Sequence, residues 1–305
     1  MRLNIMTSNV LHKQLVDETN IIYYTSNSLF DHILYLTDSN YFVFADVPTI
    51  SDNCKCLRES HIDLYDYDMC CSNGITTYKD RSNLASAMHI SNLFLEHNYR
   101  ASNLKKEDLY IVNQNLSKVK KVFFNDFTAK SWGLQNSLVV EYGVPVDQFV
   151  PLDSEPEKEV LISTSNQAIA GQLQQYIIND LKLQADCVES FGFADIPHVN
   201  KLFNNYKVFI NLTNNMIDSL CAASSGMDVL ALAQIDPNDN KLNNVPNIKN
   251  CLHVNDIAAA IEAKVKNATK NNNANTYIKN NYSFDKFKEE MQGVFDTVKR
   301  EACVL

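Results

Sequence analysis

In SNLFLEHNYR (residues 91–100), Glu96, His97, Asn98 and Arg100 stand just beyond an apolar, strand-like run. A histidine whose ring is oriented by a neighbouring carboxylate or amide is equipped for proton transfer near neutral pH. Groups at the carboxyl end of a strand also face the crevice of a doubly wound sheet. An exposed or internally satisfied histidine is the other reading of the same residues. SNGITTY (72–78) supplies a second such strand end, where Asn73-Gly74 permits a tight turn with backbone amides facing the same crevice. A third segment, IDSLCAASSGMDVLAL (217–232), begins like a helix, passes through small residues to Gly226 and leaves as an apolar run. So little side-chain volume suits either close approach of a ligand or tight packing of helix on sheet.

Other chemistries are disfavoured. Eight cysteines stand at 54, 56, 70, 71, 187, 221, 251 and 303. The C-x-C and C-C spacings of Cys54, Cys56, Cys70 and Cys71 do not match zinc-knuckle geometry, so reduced thiols and no metal are expected. The terminal ACVL puts Cys303 third from the end, where prenylation needs it fourth. With 7 glycines, the chain contains neither GxGxxG nor GxxxxGK[ST]. A net charge of −9 argues against a protein whose whole surface wraps nucleic acid. One basic stretch remains: Arg100, Lys105, Lys106, Lys118, Lys120 and Lys121 face only Glu107 and Asp108. It reads as a polyanion-binding patch, with Tyr99 and Tyr110 for stacking, or as a solvated helix face. The N-terminal apolar segment is too short for a signal-peptide core, and no window approaches the ~20 apolar residues of a membrane span. A soluble, cytoplasmic protein is the expectation.

These groups need a scaffold, and 305 residues suggest two domains. Short apolar runs alternate with segments of helical period, which predicts an α/β architecture. Strands are expected at 2–6, 41–47, 64–71, 91–97, 121–126 and 137–143, with a helix on RSNLASAMH. A second series follows the acidic DSEPEKE (153–159), read as a linker or hinge: strand EVLISTS, helix QLQQYIINDLKL, strand DCVESFGF, helix VNKLFNN, strand YKVFINLT, the small-residue helix, and strand DVLALAQ. The Asn-rich tract 266–281 is expected to be a loop or frayed helix end. Phe284, Phe287, Met291, Val294, Phe295 and Val298 then trace one apolar helical face, with Ser283 placed to cap it.

In order, SLVVEYGVPVDQFVP (137–151), VLISTS (160–165), ESFGF (189–193), YKVFINLT followed by IDSLCAASSGMDVLAL, and YSFDKFKEEMQGVFD (282–296) resemble the second half of GT-B glycosyltransferases, particularly the large retaining family. The resemblance implies two Rossmann-like lobes facing a cleft: residues 1–152 on the acceptor side, residues 153–280 binding a nucleotide sugar, and residues 281–305 as a helix crossing back to the first lobe. It also implies a UDP-sugar or other nucleotide-diphosphate sugar as donor, with no tightly bound cofactor. Ser163, Thr164, Gly192, Phe193, Ser219, Leu220 and Cys221 match donor-binding positions. The amides of Ser219 and Leu220 would meet the diphosphate at a helix start, and Gly226 would end that helix. Asp218 would bind a donor hydroxyl. His97, with Glu96, looks like the family's histidine beside the transferred sugar; Asn73, Gly74, Asn98 and Arg100 complete the acceptor side.

Three departures bear on activity. Cys221 stands where the family carries a helix-borne Glu, and a thiol is a poor hydrogen-bond acceptor beside a carboxylate. The earlier Glu of the family's acidic pair has no counterpart in TNNMI (213–217). No basic residue occurs between Lys158 and Lys182, where the family supplies an Arg and a Lys for the diphosphate. The expected activity is sugar transfer to a hydroxyl acceptor. The acceptor is a glycan or a hydroxymethylated DNA base, the latter suggested by viral GT-B enzymes and a composition that suits an AT-rich genome. Alternatives are a catalytically reduced GT-B protein that binds nucleotide or glycan, and a sugar-nucleotide epimerase.

Overall fold

The computed structural model describes residues 3–6, 10–16, 19–25, 40–44, 69–73, 91–96, 114, 116, 119–124, 126–141, 143–164, 166–188, 196–213, 216–232, 241–268, 270 and 272–302; before residue 93 it describes the backbone alone. Contacts divide the chain into two units. One comprises Met1–Glu141 and Phe287–Leu305, and the other Tyr142–Lys286.

In the first unit, eight strands form one sheet: β1 (Leu3–Met6), β2 (Val10–Val16), β3 (Thr19–Thr25), β4 (Asn40–Phe44), β5 (Met69–Asn73), β6 (Ser91–Glu96), β7 (Lys120–Phe123) and β8 (Ser137–Val139). From β5 to β8 the neighbours are parallel, as expected of an α/β chain. The N-terminal part departs from that expectation. β2 runs antiparallel to β1, β3 and β4, and the sequence reading placed no strand over residues 10–25. TNIIYYT is rich in β-branched and aromatic residues, which suit a pleated surface. Two residues separate β2 from β3, the commonest hairpin spacing.

The described core of this unit is aromatic. Phe94 of β6 meets Phe123 of β7 at 6.4 Å and Trp132, at the end of helix α1 (Asp126–Trp132), at 6.0 Å, both edge to face. Phe124 lies 6.2 Å from Phe287 of the C-terminal helix α7 (Phe284–Ala302), whose Phe287, Met291, Val294 and Val298 are buried as the helical period predicts. Lys121 is wholly buried. Its ammonium donates to the carbonyls of Leu116 (2.6 Å) and Val119 (2.8 Å), and burial, reinforced by the charge of Lys120, lowers its pKa. This removes Lys121 from the expected basic face: it lies in a strand, where alternation turns one of two adjacent lysines inward.

The second unit holds a five-stranded parallel sheet, β9 (Lys158–Ser163), β10 (Ala185–Val188), β11 (Tyr206–Asn211), β12 (Asp228–Leu232) and β13 (Ile248–Cys251), in the order β10-β9-β11-β12-β13. The chain leaves β9 toward β10 and returns on the other side as β11, so a topological switch point lies between β9 and β11. Parallel strands covered on both faces read as continuous apolar runs, and VLI in β9 and VFI in β11 do so. One face packs Val160, Ile162, Val208 and Ile210 against α2 (Gln167–Asn179) and α5 (Val254–Asn267). Residues of the other parity face the opposite way, where Phe209 meets Phe203 of α3 (Ile196–Asn204) at 5.3 Å and α4 (Met216–Ser224) is docked.

The tract 266–281 is no frayed end. α5 stops at Asn267, and α6 (Asn273–Asn281) is a separate helix with Ala274 and Ile278 fully buried. Asparagine is a poor helix former, so tertiary contacts must hold α6. The amide nitrogen of Asn275 lies 3.2 Å from Val146 O, 2.9 Å from Phe149 O, 3.3 Å from Ser224 O and 2.9 Å from Ser224 Oγ. Among the described residues no helix is long and apolar enough to cross a membrane.

Candidate functional site

Carboxyl ends of parallel strands flanking a switch point are where doubly wound sheets bind ligands. In the second unit one row of paired residues crosses that edge: Val188, Ser163, Asn211, Ala231 and Asn250 are in register. Ser163 and Asn211 end β9 and β11, on either side of the switch point, and share the sheet face covered by α4.

Asn211 organises the edge. Its Nδ2 donates to Ser219 Oγ on α4 (2.8 Å), and its Oδ1 accepts from the backbone N–H (2.9 Å) and hydroxyl (2.6 Å) of Thr213. This Asx-type turn ties the end of β11 to the helix that follows. Leu212 N–H donates to Ser163 O at 2.8 Å, joining the two strand ends. Neither Asn211 nor Thr213 stood out in the sequence, although an Asn closing an apolar strand and followed two residues on by Thr is a recognisable turn signal.

Of the expected donor-binding residues, Ser163, Thr164, Ser219, Leu220 and Cys221 are buried and Asp218 is half-buried. Thr164 is engaged with the cap of α2: its hydroxyl donates to Asn166 O (3.1 Å) and accepts from Asn166 N–H (2.9 Å). Asn166 Oδ1 in turn accepts from Ala168 and Ile169 N–H, so first-turn amides of α2 are taken by its own cap. Ser163 differs. It has no exposed surface, and its Oγ has no hydrogen-bond partner.

Two expectations on α4 need correction. The helix begins at Met216, so its first turn is Met216, Ile217 and Asp218, whereas Ser219 and Leu220 lie deeper, where the helical ladder takes up amides. Cys221 is buried, and burial, with the charge of Asp218 behind it, pushes its thiol well above the ordinary range. It is a neutral thiol in the core and cannot stand in for a carboxylate.

The small residues after it serve packing. Ala222, Ala223, Ser224 and Ser225 are all buried; Ser224 Oγ donates to Phe149 O (2.7 Å), and Ser225 Oγ lies 2.9 Å from Asn200 Oδ1. Gly226, at φ +86°, ends the helix as expected. Its N–H donates to Ala223 O and that of Met227 to Ala222 O, the paired bonds of a Schellman cap.

Lys158 sits at the opposite end of β9, about 16 Å from Ser163 at ~3.3 Å per residue. Its Nζ is 2.7 Å from Asp186 Oδ2, which also accepts from Tyr206 OH (2.6 Å). Lys158 therefore cannot serve the carboxyl edge.

In the first unit, Asn73 and Glu96 end the adjacent parallel strands β5 and β6, with Asn73 paired to Leu95 and Glu96 to Phe123. The topology thus brings these two positions to one sheet edge. His97, Asn98, Arg100, Gly74, Gly192 and Phe193, as well as Cys54 and Cys56, lie outside the described residues. Among the described residues no group of three or more His, Cys, Asp or Glu side chains is placed to hold a metal ion.

No protein-family model matches the chain, and no curated protein matches it by sequence. Solved structures do. The Anabaena protein Alr3699/HepE in complex with UDP-glucose is similar at TM-score 0.59 and 10% identity, over 76% of this chain and 79% of that one. Its complex with UDP and glucose gives 0.58 over the same shares. S. aureus TarM gives 0.53 at 12% identity over 74% of this chain, which spans 54% of TarM. The chain has the fold of the GT-B glycosyltransferases.

Proposed function

We propose that the chain transfers a glycosyl group from a nucleotide-diphosphate sugar to a hydroxyl acceptor. The observation that carries this reading is the switch-point edge of the second unit, where β9, β11 and the start of α4 converge, in a fold shared with a protein solved with UDP-glucose. The start of α4 offers the positive end of a helix dipole to the diphosphate. Asp218, in that first turn, accepts a donor hydroxyl. Gly192 and Phe193, in the ESFGF segment (189–193) that follows β10 in the chain, contact the base in this reading, as the resemblance implies. The acceptor belongs to the first unit's edge, with Asn73, Glu96 and His97.

In the transfer, the bond from the anomeric carbon to the diphosphate breaks and a bond to the acceptor oxygen forms. The acceptor proton passes to the departing phosphate in the retaining course that the family resemblance implies. Placement and electrostatics then carry most of the rate. A glycan ranks ahead of a DNA base as acceptor because Lys121 is buried and the basic stretch is correspondingly weaker.

The test is incubation with UDP-, GDP- and ADP-sugars and a panel of hydroxyl acceptors, with product detection by mass spectrometry. Transfer or donor hydrolysis supports the reading. Binding without turnover would favour the second reading, a catalytically reduced GT-B protein. The buried neutral Cys221 and the absence of basic residues between Lys158 and Lys182 support that second reading.

A further inference from the structure

Two helices cover the same face of the second unit's sheet and meet solvent in opposite ways. α5 turns Asp256, Glu262 and Lys266 outward, with Lys266 paired to Glu262 at 2.6 Å, and leaves none of its large apolar side chains exposed. That is the usual outer side of a helix on a water-facing domain. α2 carries no charged residue and lies within residues 160–179, the longest run in the chain without Asp, Glu, Lys or Arg. Its outer side presents Ile169 (39% exposed), Tyr176 (36%) and Ile178 (44%), half of the large apolar side chains that stand exposed among the described residues. Apolar residues scattered singly over a surface need no explanation, whereas three on one uncharged helix mark a contact.

At the three- and four-residue steps of a helix, Ile169, Gln172 and Tyr176 line one flank of this side, and Gly171 and Ile178 belong to the other. In mid-helix a glycine costs stability relative to alanine, and a Cβ at Gly171 would meet nothing within 4 Å. The chain's own packing does not require that glycine, but a second backbone crossing over α2 would.

Charge selects the occupant. Two copies of a chain of net charge −9 repel each other, and they meet at least cost where the surface has no charge. A two-fold pairing sets a patch against itself, so a patch free of charge escapes like-charge opposition, and a glutamine amide can both donate to and accept from its own counterpart. A membrane surface would call for Lys or Arg beside the apolar residues, and α2 has none. We infer that the outer side of α2 is a self-association surface, on which a second copy of this chain seats the same helix across a two-fold axis. Gln172, near the middle of α2, then faces its counterpart whichever way the two helices run. At ~1.5 Å per residue the helix is about 20 Å long. A contact centred on it is small beside the ~1,000 Å² of a stable interface, so the association is weak and concentration-dependent. This inference is independent of the sugar-transfer reading.

The experiment is sedimentation analysis of the full chain from about 1 µM to about 500 µM, a range that spans weak interfaces. It is repeated on Gln172→Glu, on Gln172→Lys and on their equimolar mixture. Expected for the unaltered chain is a reversible rise toward twice the mass of one chain. Each variant alone should weaken association at least tenfold, because like charges face each other across the axis, and mixing the two should restore it. Unfolding midpoints at the lowest concentration should be equal, since Gln172 is exposed. A single chain mass at the highest concentration overturns the inference and leaves the face to a dissimilar protein. Association that survives both substitutions overturns it by placing the contact elsewhere, and loss in both variants without recovery on mixing overturns the two-fold pairing. A lowered midpoint in either variant would contradict the free outer side from which the inference starts.

Discussion

The two edges of the second unit's sheet are made from the same strands and are chemically opposite. At the amino edge, Lys158, Asp186 and Tyr206 satisfy one another: carboxylate to ammonium at 2.7 Å, carboxylate to phenol at 2.6 Å, and the ammonium 5.6 Å from the phenol ring centroid. At the carboxyl edge, Asn211 is bonded to Ser219 and Thr213, while the Ser163 hydroxyl, one strand away, and Asn250 Oδ1, in the same row, are buried without a hydrogen-bond partner. Polar groups that exist to hold strands together find partners within the protein. The amino edge at β9, β10 and β11 is thus closed by its own ion pair and phenol, whereas the carboxyl edge keeps buried polar atoms that no protein group satisfies.

The largest expected effect that tests this contrast is at Asn211. Asn211→Ala removes the bonds to Ser219 and to the amide and hydroxyl of Thr213, so unfolding free energy should fall by about 2–3 kcal/mol, with donor affinity falling too. Denaturant melts and titration of the same preparation measure both. Loss of stability alone would make Asn211 part of the scaffold and narrow the functional edge to Ser163 and α4. Gly226→Ala comes next. At φ +86° a Cβ is strained, and roughly 1–2 kcal/mol of stability should be lost with nucleotide affinity unchanged, since the cap closes the far end of α4. Altered affinity there would mean that α4 transmits strain along its length.

Asp186→Ala should cost about 1 kcal/mol, because the pair is half-exposed and screened. Its pH profile is more telling. Hydrogen bonds from Lys158 and then Tyr206 lower the Asp186 pKa, so its contribution is present above the unfolded value and is lost as pH falls through the lower folded value. The Lys158 pKa is raised, chiefly by Asp186, and the Tyr206 pKa is raised, chiefly by burial. Their contributions are present below the unfolded values and vanish as pH rises through the folded ones. The stability difference between the unaltered chain and Asp186→Ala should therefore be flat from about pH 5 to 9 and shrink on both sides. A slope within that window would contradict a self-satisfied amino edge. Smallest of all is the effect of Ser163→Ala on the unliganded chain, a midpoint shift near zero or slightly upward, read by scanning calorimetry.

How far these edges were legible in the sequence depends on what kind of interaction makes each part. β9, β11, β12 and α7 follow from apolar runs or helical period, because burial of Val160–Ile162 or of Phe287, Met291, Val294 and Val298 is written in residue type. α6 was missed because NANTYIKNN has low helix propensity. Its stability comes from Asn275 reaching carbonyls more than a hundred positions away, at Val146 and Phe149, which no local window contains. β2 was missed because His12, Lys13 and Gln14 interrupt any alternation, and β3 was missed although Ile21, Ile22, Tyr23 and Tyr24 favour a strand. On the site, Ser163 was named from the resemblance, yet its isolation is a property of neighbours brought in by strand register. Lys121 was misread for the converse reason: a count of charges along the chain is blind to which side of a strand each one faces.

The segmental make-up of the two units has a consequence for synthesis. Residues Tyr142–Lys286 form an unbroken run, whereas the other unit needs Phe287–Leu305, with Phe287 against Phe124, to finish its packing. On the ribosome the middle of the polypeptide can therefore reach its native state while the part made first still waits for the part made last.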